Sequence, residues 1–355
     1  MAERLERFRQ VLKPNKIDAM LITNPVNRRY LSSFEGSGGV LLISEKQACL
    51  VTDFRYIDQA AGQAKQFQVR RWQDDLYQCL DPIIAEAGWK RLGFEAKDVV
   101  YSTYHEMKDK LPVELVPVEN AVEQQRMVKS KQELDALRRG TEVLDRAFEY
   151  ICNVIKPGMA EKDLALDLEI YLRRQGAEEP SFRFIVASGK RGAMPHGTAS
   201  GKAMQVGELV TIDFGAVFAG YATDMTRTLC LGKPDQQQRQ IYELVREGQK
   251  KAADAVKPGL KGSELDKVAR TIFERAGYAQ YFGHGLGHGV GLETHEQPVL
   301  NPRSATILEP GMVITVEPGI YIPDWGGVRI EDMVAVTDRG GDVLTKSPRE
   351  LITVN

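Results

Sequence analysis

The sequence predicts an α+β chain of two domains: a small α/β domain over residues 1–122, followed by a larger domain over 123–355 that carries a pseudo-twofold internal repeat. Three observations lead there. At 355 residues the chain exceeds the length at which a single hydrophobic core usually stops growing. The apolar pattern changes near residue 123, from short runs alternating with helical stretches to longer helices and strands. Beyond that point two segments recur at a nearly constant offset.

In the first domain, MAERLERFRQVLK reads as a charged amphipathic helix. AMLIT, GVLLIS and ACLVTD read as strands, and FRYIDQAAGQAKQ as a helix. His105, in YSTYHEMKDKL, reads as a solvated helix residue. The polar, helix-favouring stretch AVEQQRMVKSKQELDALRRG, with Lys129 and Glu133 among mixed charges, then opens the second domain.

There, VIKPGMAEKDL (154–164) matches AVKPGLKGSEL (255–265), and each leads into an amphipathic helix that ends at Gly176 or Gly277. Lys156 and Lys257, Pro157 and Pro258, Gly158 and Gly259, and Leu164 and Leu265 all keep an offset of 101. Further on, GELVTIDFG (207–215) matches GMVITVEPG (311–319) at an offset of 104, which sets Asp213 opposite Glu317. Each half thus delivers a carboxylate at the end of a β-run, and a pseudo-twofold arrangement would bring the two ends together.

After Asp213 a turn leads into a second alternating run, in which Asp224, Thr226 and Thr228 share a face. A hairpin there puts Asp224 beside Asp213. After Glu317 another turn and returning strand place Arg329 and Glu331 on one face. Four carboxylates converging within a few ångströms repel one another and push their pKa values up. Divalent cations remove that cost: four carboxylates and one neutral imidazole balance two M²⁺ ions. An oxygen-rich donor set with one nitrogen and no thiolate favours Mn²⁺, Co²⁺, Fe²⁺ or Zn²⁺ in a hydrolytic site over a structural cysteine-type zinc. Taken singly, each acid could equally be a turn cap or a solvated strand end.

The imidazole comes from GHGLGHGVGLETHE (283–296), which holds three of the five histidines of the chain. His284 and His288 have the i, i+4 spacing of a helical zinc motif. Five glycines at about 0.8–1 kcal/mol each argue against a helix there, and Gly285 stands where that motif needs Glu. The glycines also lack the spacing and the βαβ context of a dinucleotide loop. A β-run or an extended loop is left.

Composition narrows the partners. A formal charge of -2 with both signs interspersed leaves no basic stripe for nucleic acid. No apolar run approaches the roughly 18 residues that span a bilayer. The N-terminus lacks a secretory pattern, and the four cysteines are far apart with no C-x-x-C pair. Reduced thiols in a cytoplasmic protein are the expectation.

The order D-x10-D, then GHGLGH, then VEPG, then RIED resembles the pita-bread metallopeptidases, specifically their aminopeptidase P and prolidase branch. The resemblance runs from about residue 127 to the C-terminus, and residues 1–122 resemble the smaller creatinase-like N-terminal domain of that branch. It implies a pita-bread catalytic domain in which Asp213, Asp224, His288, Glu317 and Glu331 bind two divalent ions, Mn or Co foremost, with Zn or Fe as alternatives. It implies that His196 in MPHGT, His284 and His295 contact substrate and stabilise the tetrahedral intermediate, and that Glu317 also accepts the proton of the attacking water. Arg329, from its place on the Glu331 face, either orients the catalytic acids or is a structural salt-bridge partner of a strand acid. The substrates the resemblance implies are proline-containing dipeptides or longer peptides cleaved at the Xaa-Pro bond, and the expected assembly is a homodimer. Tyr321 could pack in a strand or bond near the site. Two rivals share the fold: a metal-free, creatinase-like amidinohydrolase, and a non-catalytic binding module. The intact five-ligand set argues against both.

Overall fold

The computed structural model describes residues 2–355 and divides into two compact units, Met1–Arg126 and Met127–Asn355.

The first unit is built on a six-stranded mixed sheet with spatial order Gln68–Arg71, Ala48–Thr52, Val40–Ser44, Ala19–Ile22, Arg91–Glu95, Glu114–Val118. The three strands expected from sequence are present and buried along their whole length, as in a sheet covered on both faces. The edge strand, QVRR, is charged and mostly exposed, which blunts edge pairing. The N-terminal helix spans Ala2–Arg9, and the expected FRYIDQ helix forms as a 3₁₀ turn running into Ile57–Gln63. His105 lies exposed on the helix Tyr101–Lys110.

Glu95, at the end of its strand, accepts hydrogen bonds from the backbone N–H groups of Thr23 (2.6 Å) and Asn24 (2.8 Å) and from the Asn27 amide (2.7 Å). Burial outweighs these donors and pushes its carboxyl up to about 7. A group whose folded pKa is raised contributes stability that is complete below its unfolded value and is lost as pH rises through the folded one. Between about pH 5 and 8 the wild type is therefore expected to lose about 3 kcal/mol of unfolding free energy relative to Glu95→Gln. Urea unfolding of both proteins at the two pH values checks this, and a constant difference between them would refute it.

In the second unit each half opens with a long capped helix. Lys131–Val154 begins with a Ser130/Glu133 capping box, and Gln236–Ala255 with an Asp235/Gln238 one. Leu137, Gly140, Leu144, Ala147, Phe148 and Ile151 form the buried stripe of the first, at helical spacing. A Pro-Gly turn then leads into Glu161–Arg174 or Gly262–Arg275. The repeat in sequence has a backbone cause: Gly158 and Gly259 have φ of 86° and 84°, and Gly176 and Gly277 of 96° and 80°, a region only glycine enters freely.

The strands that follow form two corresponding sheets. One has the order Thr353–Val354, Met225–Leu231, Leu209–Phe214, Ile185–Ser188. The other runs Glu296–Leu300, Gly287–Gly289, Val313–Val316, Asp332–Thr337, Gly340–Val343. The structure departs from the simple hairpins expected from sequence. In each half the connection pairs with itself before rejoining the main ladder, as Ala216–Phe218 with Tyr221–Ala222, and as Gly319–Ile322 with Gly326–Arg329. Arg329 and Glu331 consequently do not share one strand. Arg329 ends the inner hairpin, and Glu331 sits in the break before Asp332, where its N–H donates to the Thr226 carbonyl of the first half at 3.1 Å. That bond joins the two halves.

Candidate metal centre

Asp213 is the penultimate residue of the strand Leu209–Phe214, and its antiparallel partner is Thr226, which sets Asp224 two residues further along the same face. From the other half, Glu317 follows Val313–Val316 and donates its N–H to the Leu286 carbonyl at 2.8 Å. The glycine-rich segment contributes the short strand Gly287–Gly289, between Glu296–Leu300 and Val313–Val316. Its glycines serve close approach: a Cβ on Gly287 would lie 2.1 Å from the Thr315 carbonyl oxygen, and one on Gly289 2.1 Å from that of Gln297.

His288 is held on that strand by its own N–H, which donates to Thr315 Oγ1 at 3.0 Å. Its Nδ1 lies 3.0 Å from the Gly289 carbonyl, which can only accept, so Nδ1 carries a proton and Nε2, facing the carboxylates, is the nitrogen that would hold a cation. Nε2 lies 3.2 Å from Glu317 Oε1 and 3.7 Å from Asp224 Oδ2. Asp224, His288 and Glu331 each present one ligand atom, all within 4.8 Å of one another.

A second layer supports these groups. Thr226 donates its hydroxyl to Glu331 Oε2 at 2.7 Å and accepts from Arg329 Nε at 3.1 Å; Thr315 donates to Glu317 Oε1 at 3.2 Å. Arg329, 3% exposed, donates to Asp213 Oδ2 at 2.6 Å, to the Tyr321 hydroxyl at 2.8 Å and to the Pro195 carbonyl at 3.2 Å. Because Arg329 only donates, the Tyr321 proton points onward to His284 Nε2, 2.9 Å away, while His284 Nδ1 donates to the Gly285 carbonyl at 2.7 Å. His284 is therefore neutral with both nitrogens engaged, and burial lowers its pKa in agreement. His196 and His295 are exposed; the His295 ring centroid lies 4.3 Å from that of His288.

The electrostatics show what the cluster lacks. Burial pushes Asp224 and Glu331 well above the usual carboxylate range, Asp224 further by the charge of Glu331 and Glu331 further by that of Glu317. Burial raises Asp213 as well, against the pull of Arg329. Glu317 goes the other way: burial alone would raise it, but in the metal-free protein the hydrogen bond and charge of protonated His288 hold it down to about 2. Asp213 Oδ1 is buried with no partner. Crowded buried carboxyls, an orphaned carboxylate oxygen and an imidazole nitrogen aimed among them are a donor set that fits divalent cations.

The profile of metallopeptidase family M24 matches residues 135–338, and that of the creatinase/prolidase N-terminal domain matches residues 4–128. The chain belongs to metallopeptidase family M24. The fold is accordingly the pita-bread domain preceded by the creatinase-type domain, as the resemblance implied, and this M24 chain is a hydrolase of a family that uses divalent metal ions. Among its relatives, an Xaa-Pro dipeptidase of Pyrococcus furiosus is 40% identical over 99% of this chain and 100% of its own length. The structure of an Xaa-Pro dipeptidase from Bacillus anthracis superposes with a TM-score of 0.98 at 44% identity, covering 99% of both chains. That of an X-Pro aminopeptidase from Thermotoga maritima superposes at 0.90 and 36%, covering 97% of this chain and 100% of its own.

The sequence leaves Tyr321 open between a packed strand aromatic and a group near the site; its hydroxyl joins Arg329 to His284 in the M24 domain. Its position four residues after Glu317 was the available signal, and only the self-paired hairpin, which sets it opposite Gly327, decides its direction. Thr315 was also missed. Thr226 was visible as a residue sharing the Asp224 face. Among the described residues no helix is long and apolar enough to cross a membrane.

Proposed function

We propose that this chain hydrolyses the bond between an N-terminal residue and a following proline, in dipeptides and in longer peptides, with two divalent ions held by Asp213, Asp224, His288, Glu317 and Glu331. The observation that carries the reading is the convergence of the Asp224, His288 and Glu331 ligand atoms where the two halves meet. The oxygen-rich donor set favours Mn²⁺ or Co²⁺, with Zn²⁺ or Fe²⁺ as alternatives. A dipeptidase and an aminopeptidase both align along nearly the whole chain, which supports the Xaa-Pro bond as the common target.

Bound divalent ions polarise the scissile carbonyl and lower the pKa of the attacking water. Glu317, placed between His288 and Thr315, accepts that water's proton. His196 and His295, whose rings are exposed, meet the substrate and stabilise the developing oxyanion. Arg329 holds Asp213 in place, and Tyr321 and His284 hold Arg329. In this reading His284 acts through Tyr321 and not by direct contact with the oxyanion, because its Nε2 is already engaged.

Elemental analysis and kinetics on single variants test the division of labour. His288→Ala is expected to lose metal. His196→Ala, His284→Ala and His295→Ala should keep the full complement, and His196→Ala and His295→Ala should lower kcat by about 10²-fold, as for groups acting mainly in the transition state. Equal metal loss in all four would break the division, and hydrolysis undiminished in chelated, metal-free protein would overturn the reading itself.

A further inference from the structure

We propose that two carboxylate–arginine pairs, Glu161–Arg191 and Asp266–Arg270, one in each half of the catalytic domain, are positioning residues that hold His196 and His284 in their working places. The proposal rests on the reading above that these two histidines serve hydrolysis.

Neither histidine lies in a helix or strand. His196 falls in the loop between the 3₁₀ turn Gly189–Ala193 and the strand at Leu209, and His284 in the loop before Gly287–Gly289. An isolated bridge between Ile185 and Thr198 comes within two residues of His196, but no ladder runs through either histidine.

In the first half the Glu161 side chain is fully buried at the start of its helix. Its Oε1 accepts from the N–H (2.9 Å) and hydroxyl (2.8 Å) of Ser188, where the His196 loop leaves the sheet. Its Oε2 accepts from the N–H (3.1 Å) and hydroxyl (2.6 Å) of Ser200, on the far side of His196, and from Arg191 in the 3₁₀ turn that leads into the loop. One carboxylate thus staples both ends. Arg191 then donates to the Thr198 carbonyl at 2.8 Å, across the chain from His196, and the Thr198 N–H donates to the His196 carbonyl at 2.8 Å.

The second half repeats the device with different residues. Arg270 grips Asp266 through two bonds of 2.8 and 2.9 Å on the helix Gly262–Arg275, which corresponds to the helix of Glu161. Its remaining donors go to the carbonyls of Phe282 (3.1 Å) and of His284 itself (2.9 Å), while Asp266 Oδ1 accepts the Leu286 N–H at 3.0 Å. The pair therefore holds the backbone on both sides of His284. Asp266 is 1% exposed and Glu161 0%. Buried pairs of this kind bring little net stability once desolvation is counted. What these two bring is backbone geometry at a histidine, where an error of about 1 Å can cost roughly 10²-fold in rate.

The test is a set of double-mutant cycles on the full-length, Mn²⁺-loaded enzyme with an Xaa-Pro dipeptide, reading kcat, KM and metal per chain. Arg191→Ala and Arg270→Ala are expected to lower kcat about tenfold, with KM within about twofold and metal unchanged. In the His196→Ala background, Arg191→Ala should cost less than about twofold, while in His284→Ala it should keep most of its effect; Arg270→Ala should show the opposite pairing. Arg191→Lys, which can face Glu161 but cannot also reach Thr198, replaces the alanine variant if that fails to fold. The same fold-loss in every background, or a loss of metal alongside kcat, would overturn the proposal and leave the pairs as general scaffolding. A His196→Ala enzyme with unchanged kcat would instead overturn the role given to His196, and the Arg191 half of the proposal with it.

Discussion

Glu331→Gln is expected to lose bound metal and to drop kcat/KM by more than roughly 10³-fold, since groups that merely support a metal ligand already cost 10–100-fold when removed. Asp224→Asn should behave alike. Both side chains are nearly fully buried, and neighbouring carboxylates raise each of them further, Glu331 acting on Asp224 and Glu317 on Glu331. The same substitutions should therefore act in opposite directions on stability. In Mn²⁺ the variant melts below wild type, because the ion that binds only the folded protein is no longer held. In chelator it melts at or above wild type, because an uncharged amide of the same shape relieves the repulsion between buried carboxylates. Melting curves in both conditions, with metal per chain by elemental analysis, check this. Two ions retained in Glu331→Gln, or a lower melting temperature in chelator as well, would show that Glu331 is structural.

Peptides with proline in second position should exceed their alanine analogues in kcat/KM by at least about 10²-fold. The Xaa-Pro bond is a tertiary amide with no N–H, and the proline ring fixes φ near −65°, so the extended pairing by which ordinary peptidases hold substrate is unavailable. A site that accepts this bond has to recognise the ring and the carbonyl in place of the missing donor, and it gains nothing from an alanine. Gly-Pro against Gly-Ala, and Ala-Pro-Yaa against Ala-Ala-Yaa, give the comparison for dipeptides and longer peptides at once. Equal rates, or a preference for alanine over proline in second position, would refute the Xaa-Pro specificity.

The sequence by itself determined the two halves and the carboxylates they deliver. Pro-Gly turns recur at one offset because Gly158 and Gly259 must take the same positive φ, and strand-end acids recur because the same hairpin is built twice. Local rules of this kind, backbone conformation and face alternation, are written in neighbouring residues. Three other matters were decided only by the tertiary structure. The glycines around His288 are there because the carbonyls of Thr315 and Gln297 pass within 2.1 Å of any Cβ, a crowding set by strands that sequence spacing does not place. Tyr321 belongs to the site because a hairpin paired on itself turns its hydroxyl between Arg329 and His284. Glu161 and Asp266 read as ordinary helix acids, and only the packing of each helix against a loop closed from far along the chain puts their carboxylates on the backbone around a histidine. Contacts between distant segments depend on how the elements pack, and no periodicity within either segment records that.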